Sequence, residues 1–152
     1  MKSRMAEVQI VTDSLEKGLS LWVLNNGVPS VSETHIPFEE LDITLPLICE
    51  ANQKCYTSPS KWQVAGGSEA LLLHALFVTN GIATVSITVP NTATFGTPTI
   101  SFSYDLSNSL VSKSCTYSSS DNASKVTCET LKSLDNRWNV IRASGRTPPP
   151  QS

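Results

Sequence analysis

The sequence predicts a mainly β fold, either a single-domain antiparallel β-sandwich or a jelly-roll-like domain, with at most one or two short helices. The first observation behind this prediction is the alternation of apolar and polar residues with a period of two, which recurs along the chain and is typical of half-buried strands. The second is a composition with only 16% charged residues and many serines and threonines. Threonine is stiff at χ1, and serine competes for backbone hydrogen bonds inside helices, so both disfavour helix.

At 152 residues the chain has the length of one domain, which can bury about two thirds of the surface that its unfolded form exposes. We expect residues 1–146 to form this domain and residues 147–152 to form a proline-rich, extended C-terminal tail. No apolar run approaches the roughly 20 residues that span a bilayer. No apolar segment follows the basic N-terminus either, so we expect neither a transmembrane helix nor a signal peptide.

Two alternating segments are expected to form N-terminal strands. The first covers residues 8–11, and the second covers residues 19–24, where Leu19, Leu21 and Val23 alternate with their neighbours. The Asn-Asn-Gly sequence at residues 25–27 then predicts a turn, because asparagine and glycine tolerate positive φ.

The clearest strands lie in the middle of the chain, at residues 82–89 and 100–104, where the alternation is strict. The apolar segment at residues 70–78 that precedes them is ambiguous. Ser68 could cap a helix there, since alanine and leucine are strong helix formers. A strand is favoured because the next strand follows so closely. His74 in this segment is expected to be packed or at an interface.

The C-terminal part predicts shorter strands at residues 114–117, 125–129 and 138–141. Residues 107–124 are polar and serine-rich, and they are interpreted as a mobile loop between late strands.

The cysteines are Cys49, Cys55, Cys115 and Cys128, and they allow three pairings if they are oxidised. Their spacing does not match a zinc site, because there is no Cys-x-x-Cys and the two histidines stand apart. Free, partly buried thiols are favoured over one or two disulfides, and the sequence leaves this open.

The chemistry of known catalytic sites is not visible in the sequence. Ser68 follows a glycine pair in a degenerate nucleophile-elbow pattern, but a histidine and an oxyanion hole would also be needed. Glu39, Glu40 and Asp42 cluster in a segment that is more typical of a solvated surface. We therefore predict no catalytic residues, no metal, no cofactor and no small-molecule substrate, and we expect that the protein is not an enzyme.

Basic residues concentrate towards the C-terminus, although the chain carries a net charge of −2. They could form a face that contacts anionic lipid headgroups or another partner, since each lysine or arginine near such a surface contributes about 1 kcal/mol of attraction. The residues of this candidate face are Lys125, Lys132, Arg137, Arg142 and Arg146. The tryptophans Trp22, Trp62 and Trp138 are candidates for core or interface anchors.

Four features occur in an order that resembles a known family. They are Ile-Thr-Leu-Pro-Leu at residues 43–47, Gln-Lys-x-Tyr at 53–56, the apolar segment at 70–78, and Gly-x-Ala-Thr at 81–84 leading into the strand that follows. This order resembles the order of features in the N-terminal domain of the viral matrix proteins of filoviruses. The chain also resembles, in outline, the single-domain bornavirus matrix protein with its C-terminal tail.

The resemblance implies a virion structural protein with a β-sandwich that self-assembles into an oligomer. It also implies a membrane-associated protein that lines the inner face of an envelope, in the virion or the host cytoplasm, with viral nucleoprotein or RNA as further partners. Two alternatives stay open at this point. One is a jelly-roll capsid subunit that forms a closed shell, and the other is a monomeric β-sandwich effector that binds a host protein.

Overall fold

The computed structural model describes residues 2–30, 32–41, 47–50, 54–57, 62–64, 67–90 and 92–143. Within these residues there are three α-helices, together with one 3-10 turn at Phe38–Glu40. The α-helices are α1 (Lys2–Asn26), α2 (Thr92–Phe95) and α3 (Asn122–Leu134). The first six strands are β1 (Glu33–Ile36), β2 (Leu47–Cys49), β3 (Cys55–Thr57), β4 (Trp62–Val64), β5 (Gly67–Glu69) and β6 (Leu72–Leu73). The other five are β7 (Leu76–Thr79), β8 (Ile82–Thr88), β9 (Thr99–Asp105), β10 (Leu110–Ser118) and β11 (Trp138–Ala143).

Nine of the described strands form one mixed sheet, in the order β11-β10-β9-β8-β6-β3-β2, with β7 pairing with both β8 and β1. All pairs are antiparallel except β10 with β11, which are parallel and are connected through α3. Strands β4 and β5 form a separate two-stranded antiparallel sheet. The prediction of a mainly β, sandwich-like fold is confirmed, and strands account for more of the described residues than helices do.

The alternation that predicted the central strands gives the sheet two different faces. Val85 of β8, Phe102 of β9 and Cys115 of β10 point inwards and are almost completely buried. They join one core with the buried residues of α1 and α3, which pack on this side. The strands predicted at residues 82–89, 100–104, 114–117 and 138–141 are therefore confirmed.

Helix α1 is the largest departure from the sequence prediction. The strands expected at residues 8–11 and 19–24 are wrong, because residues 2–26 form a single helix of 25 residues. Its buried side chains recur every three or four residues, which is the spacing of one helix face. They are Met5, Val8, Val11, Leu15 and Leu19. The period-two pattern that suggested strands arose because Ile10 and Leu21 are apolar although they lie on the exposed side of the helix.

Helix α3 includes the strand expected at residues 125–129, so that prediction is wrong. The mobile loop expected at residues 107–124 is wrong as well, because residues 110–118 form β10 and α3 begins at Asn122. Asp121 is its N-cap, and the carboxylate accepts a hydrogen bond from the backbone nitrogen of Ser124, which satisfies one of the free N–H groups of the first turn. Ser124, Thr127 and Cys128 are fully buried, so the buried face is formed largely by small residues. With 25 and 13 residues, α1 and α3 also exceed the short helices expected.

The ambiguous segment at residues 70–78 is extended, which confirms the preference for a strand, and it contains β6 and β7. The polar residues 107–109 form the tight turn between β9 and β10, where Ser109 has a φ of 62°. The proline-rich tail at residues 147–152 lies outside the described residues.

The cysteines form two disulfides, so the preference for free thiols is wrong. Cys49 and Cys55 are direct partners in the β2–β3 register. Cys115 and Cys128 join β10 to the buried face of α3. The second bond connects positions that only the packing of α3 on the sheet brings together, which is why the spacing in the sequence did not predict it.

Candidate binding site

One face of the sheet is covered by helices, and the other carries hydroxyl side chains. Between Thr84 and Thr88, the outward positions of β8 are all serine or threonine, and β9 and β10 repeat this pattern. The register aligns these positions across the strands. We call this surface the hydroxyl face. Its members are Thr84, Ser86, Thr88, Thr99, Ser101, Ser103, Ser112, Ser114 and Thr116.

The sheet divides beside β8. The first half of β8 pairs with β7, through Phe77 and Thr84, and the second half pairs with β6, through Leu72 and Thr88. Between these two pairings, the backbone nitrogen of His74 donates a hydrogen bond to the carbonyl of Ser86 at 2.9 Å. Strand β1 extends the sheet from β7, and β3 extends it from β6. The sheet therefore has two branches that share β8.

A cleft of about 690 Å³ lies at this division. Its lining comes from separate segments of the chain, because β8 provides the floor while the two branches contribute the rest. The lining residues are Lys54, His74, Ala75, Phe77, Thr84 and Ser86. None of the described lining residues is acidic.

The aromatic groups at the cleft are held in defined positions. The Nε2 atom of His74 is 2.9 Å from the Oγ1 atom of Thr88, at hydrogen-bond distance. Phe77 is 42% exposed, and the ring of His35 on the neighbouring strand packs against it edge-on, with centroids 5.3 Å apart. The Nε2 atom of His35 is buried and has no hydrogen-bond partner among the described residues.

Among the described residues, the groups at the cleft do not complete the arrangement of a nucleophilic catalyst. The pair formed by Thr88 and His74 is a hydroxyl and an imidazole, as such catalysis requires. Catalysis also needs a third group that orients the imidazole, and no carboxylate of the described residues bonds to His74. The sequence also contains a degenerate nucleophile-elbow pattern around Ser68. Residue 66 of this pattern lies outside the described residues, and Ser68 lies in β5.

One group of residues has the composition of a metal site but not its chemistry. The ligand atoms of Glu39, Cys49 and Cys55 lie within 4.8 Å of one another. Both sulfur atoms are bound to each other in a disulfide, whereas a zinc site needs thiolates. Of the other acidic residues in that segment, Glu40 is exposed in the 3-10 turn and Asp42 lies outside the described residues.

The basic residues of the candidate lipid-binding face lie on α3, on β11 and in the connection between them. Lys125 and Arg142 are exposed, and Arg146 lies outside the described residues. Lys132 donates a hydrogen bond to the backbone carbonyl of Trp138 at 3.2 Å. The guanidinium of Arg137 forms ion pairs with Asp13, Glu16 and Asp135, so its charge is compensated by neighbouring carboxylates.

A buried polar network lies behind these residues. Lys113 projects from the inward side of β10, is only 1% exposed, and forms an ion pair with Asp135 at 2.5 Å. Gln9 of α1 donates to the Asp135 carboxylate and accepts a hydrogen bond from the indole of Trp138. The Lys113 ammonium also lies 4.9 Å from the centroid of the Trp138 ring. Four segments of the fold are thus connected through polar side chains.

The network controls the ionisation of Asp135. Burial alone raises the pKa of this carboxyl. Hydrogen bonds from Lys113, Arg137 and Gln9 outweigh burial and hold the pKa well below its ordinary value. Lys113 is not among the residues singled out in the sequence, although alternation places it on the same side of β10 as Cys115, where a lysine is unusual.

The tryptophans occupy different environments. Trp138 is completely buried, so it is a core residue and cannot serve as an interface aromatic in this fold. Trp22 is partly buried and packs against the core. Trp62 lies in β4, and its side chain is outside the described part of the chain.

None of the described helices combines the length and the apolar character that crossing a membrane requires, including the 25-residue α1. No family model, no curated protein and no solved structure matches this chain.

Proposed function

We propose that this chain is a non-enzymatic binding domain and that its ligand site is the cleft on the hydroxyl face of the sheet. The observation that carries the proposal is the division of the sheet beside β8. It brings the residues Lys54, His74, Phe77, Thr84 and Ser86 to the lining of one cleft. A cleft of a few hundred Å³ that gathers several polar residues is a common form of ligand site.

The proposed site goes beyond the sequence-based expectation, which was that there is no small-molecule substrate. The residues that line it are unremarkable in the sequence, because the floor residues Thr84 and Ser86 belong to an ordinary alternating strand. Only the division of the sheet distinguishes them from the equivalent residues of β9 and β10.

The proposed working environment is an oxidising compartment. Disulfides form and persist in secreted or extracytoplasmic proteins and are rare where thiols are kept reduced. Both disulfides therefore support a location different from the host cytoplasm.

The matrix-like hypothesis, with self-assembly and binding to the inner face of a membrane, stays a prediction. Its capsid and effector alternatives stay predictions as well. The compensated charge of Arg137 and the two disulfides weigh against a cytoplasmic lipid surface. Salt-sensitive sedimentation with anionic liposomes would favour the matrix-like hypothesis over the proposal made here.

The proposal is tested by NMR with the ¹⁵N-labelled protein and a small set of probes: benzoate, benzamide, benzylamine, glucuronate and glucose. We expect at least one probe to shift the amide signals of Phe77, Thr84 and Ser86 before any others. The variant Ser86→Tyr fills the floor of the cleft and should abolish these shifts. The matched variant Ser112→Tyr adds the same ring to the same face two strands away, and it should leave them unchanged.

The proposal fails if no probe acts on these signals, or if binding in Ser86→Tyr equals that in Ser112→Tyr. Both serines are exposed on strands of the same sheet, so the two variants carry a similar cost in folding. A difference between them therefore reports on the cleft.

A further inference from the structure

We propose that Asn122 is a site of N-linked glycosylation and that the glycan is attached before α3 packs on the sheet. Residues 122–124 read Asn-Ala-Ser, the only Asn-x-Ser/Thr sequence in the chain. This is the acceptor pattern for N-linked glycans in secreted proteins. The proposed modification is independent of the cleft, and it shares with the proposed function only the oxidising compartment that both disulfides support.

Asn122 lies where the folded protein can carry a glycan. It is the first residue of α3, and its side chain is exposed. Val126 lies one turn further on the same side of the helix, and its apolar side chain is 39% exposed. A glycan at Asn122 would shield Val126 from solvent. Because α3 packs on the face of the sheet opposite the hydroxyl face, such a glycan leaves the cleft open.

The serine of the acceptor pattern is inaccessible in the folded protein. Ser124 is completely buried. Its hydroxyl donates to the carboxylate of Asp121 at 2.6 Å and accepts from the backbone nitrogen of Thr97 at 2.8 Å. The transferase recognises this hydroxyl together with the asparagine, so the pattern is hidden once α3 is in place. The glycan must therefore be added while residues 122–124 are still free of the fold.

The second disulfide ends the period in which the pattern is free. Cys115 and Cys128 lie on either side of residues 122–124 in the sequence, and both are completely buried. Their bond joins β10 to α3 and keeps the helix close to the sheet, where Ser124 is covered. Formation of this disulfide and attachment of the glycan therefore compete during folding.

The proposed transfer is a substitution at a sugar carbon. The side-chain amide nitrogen of Asn122 forms a bond to the anomeric carbon of the first sugar and loses one proton. The donor is an oligosaccharide attached to a polyprenyl diphosphate. The bond between its anomeric carbon and the diphosphate oxygen breaks, and the polyprenyl diphosphate leaves with the electron pair of that bond. No oxidant or reductant takes part.

The first experiment measures whether Asn122 carries a glycan when the full chain is secreted from a eukaryotic cell line behind a cleavable signal sequence. We expect one slower band on a denaturing gel, which peptide-N-glycosidase returns to the position of the unmodified chain. This enzyme converts the glycosylated asparagine to aspartate, so peptide mass spectrometry locates the site. Asn122→Gln should lose the slower band. The matched control Asn136→Gln changes another exposed asparagine, outside the pattern, and should keep it.

The second experiment tests the order of the two events. Unglycosylated protein in its folded, oxidised form is incubated with oligosaccharyltransferase and the lipid-linked donor, in parallel with protein whose cysteines have been reduced and alkylated. Alkyl groups cannot be packed at the completely buried Cys115 and Cys128, so the alkylated chain keeps α3 off the sheet. We expect glycosylation of the alkylated chain at Asn122 and none of the folded chain.

Two results would overturn the proposed modification. If the secreted protein lacks the slower band and the alkylated chain is also left unmodified, Asn122 is not an acceptor. If the folded and the alkylated chains are glycosylated equally well, burial of Ser124 does not set the order. Neither result concerns the amide signals of the cleft, so the proposed function is tested separately.

Discussion

Replacing Asp135 with asparagine removes the charge that faces Lys113 and keeps the size of the side chain. In the native protein the Lys113 ammonium is almost inaccessible to solvent and pairs with this carboxylate at 2.5 Å. Gln9 also accepts from the ammonium, at 3.4 Å, but it carries no charge. The variant therefore leaves a buried cation without its counter-ion.

Breaking a buried ion pair by removing one partner typically costs about 3–5 kcal/mol. We expect the lower end, about 3 kcal/mol, because the asparagine oxygen can still accept a hydrogen bond from Lys113. For a domain of this size, each kcal/mol corresponds to a change of roughly 2–4 °C in melting temperature. The melting temperature of Asp135→Asn should therefore fall by roughly 6–12 °C.

The same network predicts how this difference depends on pH. The pKa of Asp135 is lowered in the folded protein, so its contribution to stability is fully present above the unfolded value, about 3.9. This contribution is lost as the pH falls through the lower folded pKa. The stability difference between the native protein and Asp135→Asn should be constant above about pH 5 and shrink below about pH 4.

The measurement is thermal unfolding followed by circular dichroism, between pH 3 and pH 8. The control is Asp13→Asn, which makes the same chemical change at the outer, half-exposed partner of Arg137. Exposed pairs contribute about 0.2–1 kcal/mol, so the control should melt close to the native protein. If both variants lose the same stability, the argument from the buried ion pair is wrong.

Two further predictions concern covalent and backbone features. Removing the disulfide between Cys115 and Cys128 with a double alanine variant should lower the free energy of unfolding by about 3 kcal/mol, the value for a loop of this length; a midpoint in urea equal to that of the native protein would contradict this. Gly96→Ala should be more destabilising than Gly27→Ala, although both glycines have similar positive φ values. A Cβ at Gly96 would lie 2.5 Å from the backbone nitrogen of Ser124, whereas one at Gly27 meets nothing within 4 Å. Gly27→Ala should cost only the strain of positive φ, about 1–2 kcal/mol, and equal losses in a parallel urea titration would refute the steric argument.

The central strands could be predicted from the sequence because their two faces differ in chemistry. In β8, buried Val85 and Ile87 alternate with exposed hydroxyl residues, and no other periodicity fits the segment. The same signal failed in α1, where Val8 and Leu15 recur with helical spacing but exposed Ile10 and Leu21 add apolar residues at alternating positions. Over a few residues, the apolar pattern therefore favoured the period of a strand. Only the full 25 residues of α1 distinguish the helical period from it.

Helix α3 and its disulfide could not be predicted for a different physical reason. Its buried face relies on Ser124 and Thr127, which hydrogen-bond to neighbours across the fold: Ser124 accepts from the backbone of Thr97, and Thr127 donates to the carbonyl of Phe95. Polar residues of this kind are counted as exposed when only the sequence is known. The partners become visible once the packing is known.

The candidate site depends on tertiary structure in the same way. Lys54 and Phe77 are 23 positions apart in the sequence, and no motif connects them. The division of the sheet beside His74 brings both to one cleft, and the apolar segment that contains His74 gave no signal of that break.

The division of the sheet also has a consequence for the cooperativity of the fold. The branch through β7 and β1 and the branch through β6 and β3 share β8, so the ladder of backbone hydrogen bonds connects them only indirectly. Residues His74 and Ala75 connect β6 to β7 along the chain, and a ligand that contacts Lys54 on one branch and Phe77 on the other would add a second link between them. Binding would then couple the opening of the two branches, so that each unfolds less readily without the other.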